Sequence, residues 1–282
     1  MTNGTIINPL INLNDGSVMP RIGLGVWKLG SGAETVNAVR WALEAGYRLI
    51  DTARIYENEA EVGEGIRASG IPREEISVTT KLWNDDQGYE PALAAVDASL
   101  ERLGLDYVDL YLIHWPSALF RKDNPDSPAL RRETWRAMEE IQQSGRAKAI
   151  GVSNYAINHL QEMDTYARIP PAVNQIELHP FWFRRDLMEF CQERGIVVES
   201  YSPLARARML ADPRITAIAE KVGKTPAQVL LRWNLQHGNV VIPKSAHKER
   251  IEENARIFEF TLQDEDMRVL DALDEGKSVL SV

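Results

Sequence analysis

A chain of 282 residues with a single cysteine, Cys191, can form no intrachain disulfide and can build no thiolate-rich metal site. The neighbouring residues MEFCQERG read as helix, which makes Cys191 a packed thiol and not a nucleophile. Long apolar runs are missing as well: no stretch of about 18 uncharged apolar residues occurs. The opening MTNGTIINPLINLNDG lacks a basic segment followed by an apolar run of secretory length, so a cytoplasmic protein is expected. Excess positive charge is absent too. A formal net charge of −9 speaks against nucleic acid or an anionic membrane as the main partner. Any polyanionic ligand must then find a local cationic pocket. His114, His159, His179, His237 and His247 show no two-residue or four-residue spacing of the kind that holds a metal, so no metal is expected.

What is present is ordinary for a globular chain: 44% hydrophobic and 26% charged residues, enough for one large core. No linker, sequence repeat or low-complexity tract divides it, and one domain over residues 1–282 is expected. The stretch INLNDGSVMP carries two short apolar pieces around Asp15-Gly16, the signature of a leading hairpin. Apolar runs then recur in YRLID, ISVTTKL, VDLYLIH, AKAIGVSN, AVNQIEL, IVVESYSPL, NVVIPKS and, more weakly, RIFEF. Between them, segments such as AETVNAVRWALEAG and PALAAVDASLERLG place apolar residues at helical steps and end in Gly. Eight apolar strands alternating with helices predict an α/β fold with a parallel sheet, closed as a (β/α)8 TIM barrel behind an N-terminal β-hairpin. A doubly wound sheet would want a glycine fingerprint after its first strand, and RLIDTARIYENE has none. GLGVWKLGSG, at 23–32, reads as a loop.

Reactive groups in such barrels sit where strands end. Asp51 follows the first predicted strand, Lys81 ends the second, His114 ends the third, and Tyr56 lies in the loop after the first. Taken singly, Asp51 reads as a helix cap, Tyr56 as a rim aromatic and His114 as a core histidine. Lys81 resists such a reading, because a lysine ending an apolar strand needs an acidic partner, and Asp51 is the candidate. Together the four fit one reaction. A phenol, with a reference pKa of about 10, becomes a useful acid when a nearby ammonium stabilises its phenolate. Lys81 supplies that field, Asp51 holds Lys81, and His114 donates a hydrogen bond to charge developing on an oxygen.

The stretches DTARIYENE, LDYVDLYLIHWP, AIGVSNY, NQIELHP, ESYSPL and IPKSAHKERIEEN resemble the aldo-keto reductase superfamily in order and spacing, over almost the whole chain. The likeness is nearest to the prokaryotic branch with 2,5-diketo-D-gluconate and methylglyoxal reductases. It implies NADPH-dependent reduction of aldehydes and ketones, small dicarbonyls and keto sugars among them. It makes Tyr56 the proton donor, Asp51 and Lys81 its tuning pair, and His114 the residue that orients the carbonyl. The resemblance further implies that Ser153, Asn154 and Gln175 bond the nicotinamide carboxamide and that Tyr201 stacks on its ring. Ser202 and Leu204 are to lie along the pyrophosphate, and Lys244, Ser245, Arg250, Glu253 and Asn254 around the adenosine end. Two cations, Lys244 and Arg250, suit a 2′-phosphate. Trp27, Trp83 and Trp115 are the expected substrate-pocket aromatics; Arg206 and Arg208 are expected at the surface.

Glu57 stands where many relatives carry Gly, and the chain is shorter than members whose tail folds over the substrate, which predicts an open pocket. A small-molecule carbonyl substrate and a monomer are expected. Two rivals stay open: a Schiff-base lyase working through Lys81 or Lys244, and an NADPH-binding sensor subunit with little turnover.

Overall fold

The computed structural model describes residues 8–117 and 127–280. It begins with an antiparallel hairpin, β1 (Leu10–Asn12) and β2 (Val18–Pro20). Its loop turns at Gly16, whose φ of 86° favours a residue without Cβ. Eight parallel strands follow: β3 (Leu24–Gly25), β4 (Leu49–Asp51), β5 (Ser77–Leu82), β6 (Val108–Ile113), β7 (Ala147–Ser153), β8 (Val173–Glu177), β9 (Val197–Tyr201) and β10 (Val240–Val241). They pair in sequence order, and the ends meet. Ile22 bridges Val241 in parallel, Gly23 N donates to Val241 O at 2.9 Å, and Gly25 N donates to Pro243 O at 3.2 Å. The sheet is therefore a ring, as in a TIM barrel.

One of the eight strands is not one of those expected, and one expected strand does not form. Residues 23–32, read as a loop, contribute β3, and RIFEF contributes none. β3 is only two residues long, too short for an alternating pattern. A Cβ on Gly25 would stand 2.8 Å from Ile242 O, so the strand that closes the ring carries glycine where a strand-forming side chain would clash. Arg256–Phe258 instead continues helix Lys248–Ala255 as a short 3-10 turn. The Ile257 carbonyl accepts from Arg232 at 3.2 Å, outside any ladder. Asp51 accordingly ends the second ring strand, Lys81 lies in the third, and His114 follows the fourth.

The helices form where the pattern placed them, as in Ala33–Glu44 and Tyr89–Leu103. Pro226–Gln236 starts on a reciprocal cap in which Thr225 and Gln228 satisfy each other's backbone N–H. Side chains facing out of the ring, such as Tyr111, Ile150, Val152 and Val198, pack under these helices in the larger of two buried clusters. The smaller cluster fills the ring: Leu49, Leu110, Leu112, Ala149, Val173, Val197 and Val240, floored by Leu13 and Met19 of the hairpin segment. There is no slack there. A Cβ on Gly151 would fall 2.6 Å from Val173 O and 2.8 Å from Leu112 Cδ2. Among the described residues no helix is long and apolar enough to cross a membrane.

Candidate active site

Nearer the C-terminal rim than that apolar layer, the inward side chains of four strands change character. β4 contributes Asp51, β5 Lys81, β8 Gln175 and β9 Glu199, all buried. Lys81 Nζ donates to Asp51 Oδ1 at 2.6 Å, to the Thr52 carbonyl at 2.9 Å and to Tyr56 Oη at 3.4 Å. The carboxylate, ammonium and phenol singled out in the sequence do meet. Tyr56 reaches them because a 3-10 turn, Arg54–Tyr56, follows β4; it ends on Glu57, whose φ of 56° explains why glycine suits that position. His114 lies just past β6, its ring edge-on to Tyr56 at 5.7 Å and to Trp83 at 5.2 Å.

Burial opposes the Lys81 charge, but the Asp51 carboxylate overcomes it, and the ammonium's pKa lies above its usual value. Asp51 is pushed up by burial and pulled back by Lys81 and Gln175, which between them donate to both of its oxygens. His114 is held well below the usual imidazole value, first by burial and then by Lys81, so it is neutral. Tyr56 differs from the expectation. Lys81 does pull its pKa down, but burial outweighs that pull and the phenol lies above its usual value. Burial and the Asp51 charge push Glu199 up to about 8. Cys191 is buried and pushed up to about 11, as suits a packed thiol.

Above this layer opens a cavity of about 820 Å³. Every site residue expected from the sequence borders it except Lys81, which lies fully buried beneath. At one part of the wall, Tyr201 Oη donates to Asn154 Oδ1 at 2.7 Å, Asn154 Nδ2 donates to the His114 carbonyl at 3.0 Å, and Ser153 Oγ donates to the Gln175 carbonyl at 2.9 Å. Asn154 and Ser202 leave their strands with φ of 63° and 49°, left-handed turns that aim the rim residues inward. Lys244 and Ser245 come just after β10, and Arg250, Glu253 and Asn254 come from helix Lys248–Ala255. Glu253 accepts from Thr225 Oγ1 at 2.8 Å, which ties that helix to its neighbour. Lys244 and Arg250 are exposed, and among the described residues neither has an ion-pair partner. Trp27, Trp83 and Trp115 form aromatic wall.

Sequence reasoning misplaced one arginine. Arg206 borders the cavity, with its guanidinium 4.8 Å over the Trp27 ring, whereas Arg208 is exposed as expected. Residues 205–207 all adopt positive φ, a bend that no residue type there advertises. Leu280, the last described residue, forms part of the pocket wall. Glu177 secures that tail: it accepts from Val279 N and from Ser278 Oγ, each at 2.6 Å. Glu199 passed unnoticed, being one polar residue in an apolar strand.

Residues 21–275 match the model of the Aldo/keto reductase family. The chain is 50% identical to the 9,11-endoperoxide prostaglandin H2 reductase of Trypanosoma cruzi, over 95% of this chain and 93% of that protein. It is 49% identical to the glyoxal reductase of Bacillus subtilis, over 98% of this chain and 96% of that one. Among solved structures, a Bombyx mori aldo-keto reductase in complex with NADP superposes with a TM-score of 0.91 at 38% identity, covering 97% of this chain and 95% of that one.

Proposed function

Since the chain belongs to the aldo/keto reductase family, whose members use NADP(H) to reduce carbonyls, we propose that it reduces small aldehydes and dicarbonyls with Tyr56 as general acid. The observation that carries the mechanism is the contact of one ammonium with both partners: Lys81 Nζ lies 2.6 Å from Asp51 and 3.4 Å from the Tyr56 hydroxyl. The residues present fit the cofactor. An elongated polyanion needs unneutralised cations, which Lys244 and Arg250 provide, and a polar amide end, for which Ser153, Asn154 and Gln175 border the same cavity. Tyr201, pinned by Asn154, offers a flat face, Ser202 and Leu204 border the stretch between, and Ser245, Glu253 and Asn254 surround the cationic end.

Bound NADPH supplies the hydride that reduces the carbonyl carbon. The protein's part is the oxygen. His114, neutral and beside Tyr56, donates to the carbonyl oxygen without adding a charge that the Lys81 field would oppose. Tyr56 keeps its proton across the working pH range and releases it to an alkoxide, a far stronger base than a phenolate. Lys81 then stabilises the phenolate, and Asp51 keeps Lys81 in place and charged. Aromatic walls at Trp27, Trp83 and Trp115 suit compact carbonyls, and the Bacillus subtilis relative, a glyoxal reductase, points the same way. A Schiff-base role for Lys81 is disfavoured, because its amine is charged and hydrogen-bonded to three oxygens.

The test follows NADPH oxidation over glyoxal, methylglyoxal, a keto sugar and a bulky ketone. Tyr56→Phe should cut turnover by about 10²-fold or more while leaving NADPH affinity intact. Comparable turnover in that variant would remove the phenol from the mechanism.

A further inference from the structure

The ring interior holds one more carboxyl than the reaction uses. Glu199, on β9, is fully buried beside its register partner Gln175 on β8. Gln175 Nε2 lies 2.6 Å from Glu199 Oε2 and 2.7 Å from Asp51 Oδ2. An atom so close to two carboxyl oxygens, one of them on a lysine-paired carboxylate, is a donor to both, which settles which end of the amide is nitrogen. Both amide hydrogens are thereby used. The other end, Oε1, is left as the only hydrogen-bonding atom that Gln175 can offer the cavity, and no described side chain donates to it.

We propose that Glu199 is a positioning residue: together with Asp51 it grips the Gln175 amide from below, so that the Gln175 carbonyl oxygen meets the carboxamide N–H of nicotinamide as a fixed acceptor. The inference rests on the reading of the cavity as an NADPH site. Asp51 alone cannot impose this orientation. Held by that one hydrogen bond, the amide keeps a free N–H, and its last torsion is soft, so a donor could turn toward the ligand beside the acceptor. Glu199 has no competing task among the described residues. Gln175 is its only side-chain hydrogen bond, and its second oxygen, Oε1, is buried without a partner. The groups around it are Asp51 on β4, Lys81 on β5 and the Tyr56 hydroxyl; Glu199 does not itself border the cavity, and its hydrogen bond is to Gln175, which does. An acid buried with one of its oxygens unsatisfied costs stability, so its effect is to be sought in what Gln175 binds.

The experiment measures the affinities of the full-length protein for NADPH and for adenosine 2′,5′-bisphosphate, which carries the phosphates of the adenosine end but no nicotinamide. Glu199→Met keeps length and removes the acceptor; Glu199→Gln keeps an acceptor. Glu199→Met should weaken NADPH about fivefold or more, leave the bisphosphate unchanged, and be rescued by Glu199→Gln to within about twofold of wild type. Combined with Gln175→Met it should add nothing further, because both changes break one unit. The proposal is overturned if Glu199→Met binds NADPH like the wild type, if both ligands weaken together, if Glu199→Gln is as damaging as Glu199→Met, or if the two losses add. Should Glu199→Met fail to fold, Glu199→Ala removes the same acceptor and is read by the same criteria. Wild-type protein that binds the bisphosphate but not NADPH would sink the underlying site reading itself, a result distinct from any of these.

Discussion

Lys81 shows how far single residues could be understood before the fold was known. A lysine at the end of SVTTKL has to find an acid, and the only one due at a neighbouring strand end was Asp51; the structure joins them at 2.6 Å. Removing one partner should be costly. Lys81→Met is expected to lower unfolding free energy by about 3 kcal/mol, because Asp51 is left buried without its counter-charge, and Asp51→Asn added to it should restore part of that stability but none of the activity. Urea denaturation alongside NADPH oxidation checks both halves; a double variant no more stable than Lys81→Met would argue against the pairing energy. Glu199 was not legible in the same way. In VVESYSPL it looks like any polar residue on a strand, and only the ring register shows that it faces Gln175. Its titration has a definite sign. The folded-state value of about 8 lies above the ordinary 4.5, so the folded protein holds a proton through that window that the unfolded chain has lost. Stability should therefore fall as pH rises from about 5 to 8, by on the order of 1 kcal/mol per pH unit from this group. Glu199→Gln should flatten that slope in thermal unfolding; identical slopes would mean that Glu199 is ionised throughout.

At the level of elements, what could be read was whatever repeats. Five strands of five residues or more announced themselves as apolar runs, the helices between them by period, and the hairpin by Asp15-Gly16. The failures were short or chemically disguised. β3 has two residues and a glycine forced on it by Ile242, while Arg256–Phe258 looked like a strand only because its apolar residues follow a helix without a break. The tail escaped prediction for a third reason: its placement is decided far away in sequence, by Glu177. That carboxylate accepts from Val279, Ser278 and, at 3.0 Å, His179. An amide in its place turns an N–H toward one of these donors. Glu177→Gln should thus loosen the tail, move Leu280 off the cavity wall and raise kcat/KM for bulky ketones relative to glyoxal by about threefold or more. An unchanged selectivity profile would show that the wall does not depend on this latch.

Over the whole molecule, the apolar floor and the polar layer above it divide the ring between stability and chemistry, a division that strand-by-strand reading cannot see. Barrel architecture was implied by eight alternations, but the identity of the closing pair was not, since closure depends on backbone contacts of Gly23, Gly25 and Val241. The seam is also the thinnest part of the ring, two strands of two residues each. Directly beyond it stand Lys244 and Ser245 on one side and Trp27 on the other, all bordering the same cavity. On the proposed reading, a ligand drawn in by Lys244 would lace together the two ends of the sheet, and filling the cavity and zipping the cylinder would be one thermodynamic event. Amide hydrogens of Gly23, Gly25 and Val241 should exchange with deuterium fastest among the ring strands in the free protein and slow markedly when NADPH is added, while those of β6 and β7 hardly change.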